Sequence, residues 1–351
     1  MNPSLKILSF GAGAIGTYIG GSLALAGHEV VFVERPEVVE ELKQRGLRLD
    51  LTANPAYEKR EAARISPAEL VFAPSLEDAL SYGPFDVALF ALKSYDTAAA
   101  LEGIRPLAEK MPPVLCLQNG VENEARIAET LGAEKVLYGT VTSAVGRRAA
   151  GDIVLKKLRG VGVAKGHPLS ERLVKAMQNA GLNARLYPVS ADMKWSKMLT
   201  NLLTNATSAI LDMPPSEILA HPGLYDLEMR ALREALAVMA ANGIRVVNLP
   251  GTPVRALAAL AKGPHWLRPL AVKTLGSGRG GKMPSFHIDL YSGRGKSEVD
   301  YLNGAVVRAG ERANVPTLVN KLLNEILLAL TRGDLPLDEY AHKPEKLLGR
   351  L

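Results

Sequence analysis

The feature that most constrains the fold is Gly11-Ala12-Gly13-Ala14-Ile15-Gly16 in its setting. An apolar run at 5–10 ends at the first glycine. Helical periodicity follows at 14–26, and Gly27-His28 then turns into a second apolar run at 29–34. Strand, glycine turn, helix and strand in that order form a crossover whose two strands lie parallel in one sheet. Each glycine has its own reason. The first permits the tight turn, the second lets a phosphate approach the backbone, and the third lets helix pack on strand. The start of the helix adds unpaired N–H groups that favour an anion. A dinucleotide is therefore the expected ligand, held by Gly11, Ala12, Gly13, Ala14, Ile15 and Gly16.

The alternation continues. Residues 36–45 read as a helix with proline in its first turn, 85–92 and 113–117 as buried strands, and 98–110 as a helix between them. This pattern predicts an α/β unit, a Rossmann-type doubly wound sheet. Residues 136–145 and 152–157 read as antiparallel additions joined by a turn at 147–151. Beyond about 188 strand patterns thin out, and 192–210, 224–242, 252–260, 298–312 and 316–331 read as helices. The expected division is a dinucleotide-binding domain at 1–190 and an all-α C-terminal domain at 191–351. The tail at 334–351 is polar, contains proline and reads as partly extended.

Composition narrows the function classes. The 351 residues are 47% hydrophobic and 22% charged, a globular balance. No apolar run reaches the roughly 18 residues of a membrane span, and residues 1–6 show no signal-peptide pattern. The single cysteine, Cys116, lies in the apolar run 113–117, where a buried structural thiol is expected. These points fit a cytoplasmic protein. The net charge of +6 is scattered without interleaved aromatics, so it favours a small anionic ligand over nucleic acid. The six histidines form no ligand-spaced pair, and no metal is expected. Leu- and Ala-rich segments at 229–241 and 318–330 fit either a homodimer interface or the domain core.

Several polar residues stand where a doubly wound sheet binds ligands. At the end of the second strand Glu34 suits a ribose 2′-hydroxyl, as in NAD, and Arg35 suits a 2′-phosphate, as in NADP. Leu92-Lys93-Ser94 and Gln118-Asn119-Gly120 end the next two strands. In the apolar segment 194–205, Lys197, Asn201 and Asn205 fall at i, i+4 and i+8, one stripe of a single helix. Burying an ammonium and two amides is costly without partners, and a polar ligand is one such partner. If the dinucleotide delivers hydride, a proton must accompany it, and Lys197 is the candidate donor. The bland alternative is a lysine whose head reaches solvent.

Ser297 reads as an N-cap that places Glu298 in the first turn of a helix. There Glu298 either offsets the dipole, pairs a substrate hydroxyl or positions Lys197. Ser285 either donates to a substrate carboxylate or caps a helix starting near Phe286. A second match, Gly276-x-Gly278-x-x-Gly281, has no preceding strand and reads as a flexible loop or lid.

Taken in order, Gly11 to Gly16, Leu92-Lys93, Gln118-Asn119-Gly120, Trp195-x-Lys197-x-x-x-Asn201-x-x-x-Asn205, Pro284-Ser285 and Ser297-Glu298-Val299-Asp300-Tyr301-Leu302-Asn303-Gly304 resemble the ketopantoate reductases (2-dehydropantoate 2-reductases). The resemblance spans roughly 5–330. It implies a Rossmann domain followed by a helical one, with a cleft between them as the active site. It also implies reduction of 2-dehydropantoate to (R)-pantoate with NADPH, on the route to pantothenate and coenzyme A. By the same resemblance Lys197 is the general acid, and Asn119 lies near the nicotinamide and the reacting carbonyl. Asn201, Asn205 and Ser285 hold the substrate, and Glu298 binds its hydroxyl or positions the lysine. Arg35 falls where the family reads the 2′-phosphate, and Lys93 lies near the cofactor. Residues 279–282 belong to a glycine-rich insertion that shorter members lack. Two alternatives stay open: a reductase of another branched or hydroxylated 2-oxo acid, and an NADP(H)-binding sensor without turnover. Lys197 and Glu298 weigh against the sensor, which needs no proton donor.

Overall fold

Branched apolar residues that alternate between two buried faces build the centre of the first unit. The computed structural model describes residues 4–263 and 283–351. They form two compact units. One holds the residues up to Gln118, Glu122–Lys194 and Leu249–Thr252; the other holds Asn119–Val121, Trp195–Asn248 and Pro253–Leu351.

Among its described residues the first unit contains twelve strands: β1 Lys6–Phe10, β2 Glu29–Val33, β3 Leu47–Asp50, β4 Ala63–Ile65, β5 Val71–Ala73, β6 Val87–Phe90, β7 Val114–Cys116, β8 Val136–Val141, β9 Ala144–Ala149, β10 Asp152–Lys157, β11 Val161–Ala164 and β12 Ala184–Tyr187. Eight of them form one sheet in the order β12-β11-β8-β7-β6-β1-β2-β5. From β8 to β5 every neighbour is parallel, whereas β11 runs antiparallel to β8. Ile7, Phe32, Leu89, Leu115 and Leu137 pack on one face. Leu8, Val31, Phe90, Val114 and Cys116 pack on the other. Burial on both faces explains why these strands read as unbroken apolar runs. The chain leaves β1 for β2 on one side, while β6 lies on the other. The strand order therefore reverses at β1, and ligands bind at the carboxyl ends beside such a reversal.

Two sequence expectations need correction here. Residues 136–145 are not one antiparallel addition. Val136–Val141 is an integral strand of the main sheet, parallel to β7. The chain then leaves that sheet at Thr142 and Ser143, whose side chains bond the 159–160 backbone: the Thr142 hydroxyl donates to the Gly160 carbonyl, and Ser143 Oγ accepts from the Arg159 and Gly160 N–H groups. Ala144–Ala149 instead pairs with β10 in a separate four-stranded sheet, ordered β4-β3-β10-β9. The tail, expected to be partly extended, carries the helix Pro344–Leu348 and buries Tyr340 and Leu347.

Among its described residues the second unit has helices and no strand. They include the later part of Ser190–Leu202, then Asn205–Leu211, Pro222–Ala241, Val254–Lys262, Ser285–Tyr291, Val299–Ala313 and Leu318–Arg332. No helix among the described residues is long and apolar enough to cross a membrane. The expected loop at Gly276-x-Gly278-x-x-Gly281 and the insertion at 279–282 lie outside the described residues.

Candidate active site

Strand β1 delivers the chain directly into the glycine turn. Gly11 has φ of +87°, a left-handed conformation that a side chain would strain. Helix Ala14–Leu25 starts after Gly13 with no side-chain cap on its first N–H groups. A methyl at Gly16 would run into the Gly11 carbonyl oxygen, so that glycine is needed by the fold. A methyl at Gly13 would meet nothing within 4 Å, so the backbone there is open to a visitor. Helix packing thus accounts for Gly16, whereas the space at Gly13 together with uncapped N–H groups suits a pyrophosphate.

At the end of β2, Glu34 folds back over this turn. Its Oε1 accepts the Ala12 N–H at 2.7 Å and its Oε2 the Arg35 N–H at 3.2 Å. The Arg35 guanidinium points elsewhere: it pairs with Glu37 at 3.1 Å and its side chain is 73% exposed.

Behind the strand ends lies a buried polar lattice. Gln118 Nε2 donates to the Leu92 carbonyl and to Thr97 Oγ1, both at 2.9 Å, and Asn123 Nδ2 donates to Ser94 Oγ at 3.2 Å. These bonds tie the loop carrying Lys93 to the loop that follows β7. Gln118 is therefore a strut between loops, and the next residue, Asn119, turns to other partners. Its Oδ1 accepts from Asn201 Nδ2 at 3.0 Å.

The charge distribution on helix Ser190–Leu202 differs from the sequence expectation. The deeply buried ammonium is Lys194, at 4% side-chain exposure; Lys197 is half-buried. Lys194 Nζ lies 2.6 Å from Glu124 Oε1, a carboxylate with 1% exposure, and donates to the Gln118 and Gly139 carbonyls at 2.8 and 3.2 Å. Burial is the largest single influence on the Lys194 pKa and lowers it, but the surrounding groups, Glu124 foremost, together outweigh it and the net direction is upward. The sequence reading missed this pair. The signal for it was a second lysine one turn earlier, between Met193 and Trp195, but its partner is far away in the chain. Cys116 is also buried beside this cluster, and burial pushes its thiol well above the ordinary range, as expected of a structural thiol.

The expected single helical stripe is also corrected. Lys197 and Asn201 share helix Ser190–Leu202, but the helix stops there and Asn205 begins the next one, Asn205–Leu211. The break is Thr204, at φ 60° and ψ 0°, a costly left-handed conformation for a β-branched residue. The buried carboxylate of Glu228 holds it, accepting the Thr204 N–H at 2.6 Å and the Thr207 hydroxyl. Because of the break, Asn205 turns to helix Ser285–Tyr291. Its Oδ1 accepts the Phe286 N–H at 3.1 Å and its Nδ2 lies 3.3 Å from Ser285 Oγ. At the other end of Asn205–Leu211, Asp212 Oδ1 bonds His287 Nε2 at 2.6 Å, and the His287 ring stacks on Tyr291 with centroids 4.3 Å apart. Two polar ties therefore fix the helix that carries Ser285.

Ser285 is the first residue of its helix; the N-cap residue, Pro284, offers no side-chain cap, and Asn205 meets the Phe286 N–H instead. Ser297 is not the cap of the later helix. Glu298 occupies the cap position itself, before Val299–Ala313, and Ser297 Oγ accepts the Val299 N–H at 3.2 Å. The acid within the first turn is Asp300, and Glu298 is 3% exposed. The structure thus brings together Asn119 with Asn201, and Asn205 with Ser285. Lys197 and Glu298 belong to the same helical unit.

Comparison with known proteins gives two family matches. Residues 7–165 match ketopantoate reductase PanE/ApbA, and residues 191–331 match its C-terminal region. The 2-dehydropantoate 2-reductase of Archaeoglobus fulgidus is 28% identical over 335 residues, covering 93% of this chain and 98% of its own. That of Pyrococcus abyssi is 27% identical over 328 residues, covering 91% and 95%. Among solved structures, a PanE/ApbA family ketopantoate reductase from Ralstonia eutropha superposes with a TM-score of 0.76 at 25% identity, covering 94% of this chain and 99% of that one. D-mandelate dehydrogenase, solved with NADH and anilino(oxo)acetate, shares the fold at a TM-score of 0.74 and 22% identity, covering 94% and 99%.

Proposed function

The chain belongs to the ketopantoate reductase family, and from that premise we propose that it reduces 2-dehydropantoate to (R)-pantoate with a reduced nicotinamide dinucleotide. The observation that carries this reading is the coexistence of an open glycine turn at Gly13 with a pre-tied polar set, Asn119–Asn201 and Asn205–Ser285, in the unit that carries Lys197. When bound, the reduced nicotinamide would supply the hydride for C2 of the 2-oxo acid. Lys197 polarises the ketone oxygen and donates the proton that the developing alkoxide takes up, then recovers one from water. Asn119 orients the carbonyl. Asn201, Asn205 and Ser285 hold the rest of the substrate, and Glu298 binds its hydroxyl or positions the lysine. The hydrogen bonds already present among the amides reduce the cost of ordering them when substrate binds.

On the cofactor side, Gly11 to Gly16 would take the pyrophosphate and Lys93 would lie near the cofactor. Arg35, the residue behind the expectation of NADPH, pairs with Glu37 and is mostly exposed, so its guanidinium would have to leave that partner to meet a 2′-phosphate. The glycines separate binding from folding. Gly13→Ala is expected to unfold at the wild-type temperature yet bind dinucleotide more weakly. Gly16→Ala must displace backbone and should lose about 1–3 kcal/mol of stability. Thermal unfolding and dinucleotide titration of both variants check this; equal destabilisation of the two would remove the case for a ligand at Gly13.

The activity is tested by a panel of 2-oxo acids, followed through the absorbance of the reduced nicotinamide. The highest kcat/KM is expected for 2-dehydropantoate. A different branched or hydroxylated 2-oxo acid at the top of the panel would keep the chemistry and replace the substrate. Tight dinucleotide binding with no turnover on any member would favour a sensor.

A further inference from the structure

The end of β2 carries two residues with opposite demands on the adenosine ribose, and only one of them faces the glycine turn. Glu34 Oε1 is 2.7 Å from the Ala12 nitrogen and would lie 3.7 Å from a methyl placed on Gly11. Its carboxylate therefore sits on the turn where the dinucleotide's adenosine half must pass. We propose that Glu34 reads the ribose 2′- and 3′-hydroxyls and turns this chain's preference to NADH, an inference that rests on the glycine turn being the nicotinamide dinucleotide site.

The acceptor count supports it. An ionised carboxylate offers about four lone-pair sites. Two are used, by the Ala12 and Arg35 N–H groups, and two remain for the two hydroxyls of an unmodified ribose. Those two backbone bonds also fix the carboxylate where it stands, so it cannot swing away without leaving the Ala12 N–H unmatched. A 2′-phosphate at the same place would bring a dianion against a fixed carboxylate. Arg35, the residue that would welcome that phosphate, is turned to Glu37 and mostly solvated. A solvated guanidinium on the outer side offsets little of a repulsion on the inner side.

The test is a fluorescence titration of the full chain with NADH and with NADPH, without substrate, for wild type, Glu34→Gln and Arg35→Ala. Gln keeps an oxygen for the Ala12 N–H while removing the charge, so thermal unfolding of that variant should match wild type. Wild type should bind NADH more tightly than NADPH by about tenfold or more. Glu34→Gln should narrow or invert that ratio, mainly by strengthening NADPH. Arg35→Ala should keep the preference for NADH. Tighter binding of NADPH by wild type, or a ratio unmoved in Glu34→Gln, overturns the proposal while leaving the dinucleotide site intact. Failure of both dinucleotides to bind any of the proteins overturns it together with the reading of the glycine turn.

Discussion

Lys197→Ala should lower kcat by about 10²–10⁴, the usual contribution of a positioned general acid. The side chain is half-buried on helix Ser190–Leu202, and its neighbours Met198 and Leu199 carry the packing, at 1% exposure each. Truncation should therefore leave the fold and dinucleotide affinity close to wild type. The loss should fall on kcat and on kcat/KM alike, because the proton is needed only as the alkoxide develops. A loss confined to KM would make Lys197 a substrate anchor, and unchanged turnover would remove it from the chemistry.

The second large effect is structural. Lys194→Met should cost about 3–5 kcal/mol, because it leaves the Glu124 carboxylate buried without its cation. It also removes the donor that holds the Gln118 and Gly139 carbonyls. Adding Glu124→Leu to Lys194→Met should recover part of the loss, since the stranded charge is then gone. Denaturant unfolding of the two single variants and the double variant measures the coupling; strictly additive losses would mean the pair is not coupled. The pH dependence has a definite sign. The Lys194 pKa is raised in the folded state from its ordinary 10.5, so its contribution is complete below that value and is lost as pH rises through the folded pKa. Wild type should therefore lose stability on the alkaline side of about 10.5 more steeply than Lys194→Met.

How much of this was legible in the sequence depends on how far apart the determining residues lie. Helix Pro36–Arg45 carries both its ends in its own sequence, with proline at its start, Glu37 in the first turn and Lys43 and Arg45 in the last. Its bounds could therefore be read without the structure. The glycine turn was equally local. The break at Thr204 was not, because the carboxylate that holds it lies 24 residues away, in Glu228. Nor was the identity of the buried lysine: Lys194 and Lys197 sit one turn apart in similar apolar company, and Glu124 decides between them from another helix. Val136–Val141 was misplaced for a related reason. Its pairing partner is set by the order of the sheet, which hydrophobic pattern alone does not encode. The short strands Leu47–Asp50, Ala63–Ile65 and Val71–Ala73 escaped notice because three or four residues are too few to establish an alternation.

The candidate site follows the same rule. Its residue types, a lysine, amides, a serine and a carboxylate, were visible in sequence because such groups are costly in apolar segments. Their pairings were not. Asn205 joins Ser285 only because the helix ends before it, and Gln118 became a strut because Leu92 and Thr97 offer it partners.

The most direct test of the central claim is steady-state turnover of the purified chain with 2-dehydropantoate, using NADH and NADPH in parallel and identifying the product by chiral chromatography. Stoichiometric formation of (R)-pantoate with oxidation of the nicotinamide is the expected result. Absence of nicotinamide oxidation with either cofactor, in protein shown to be folded and to bind dinucleotide, would contradict it.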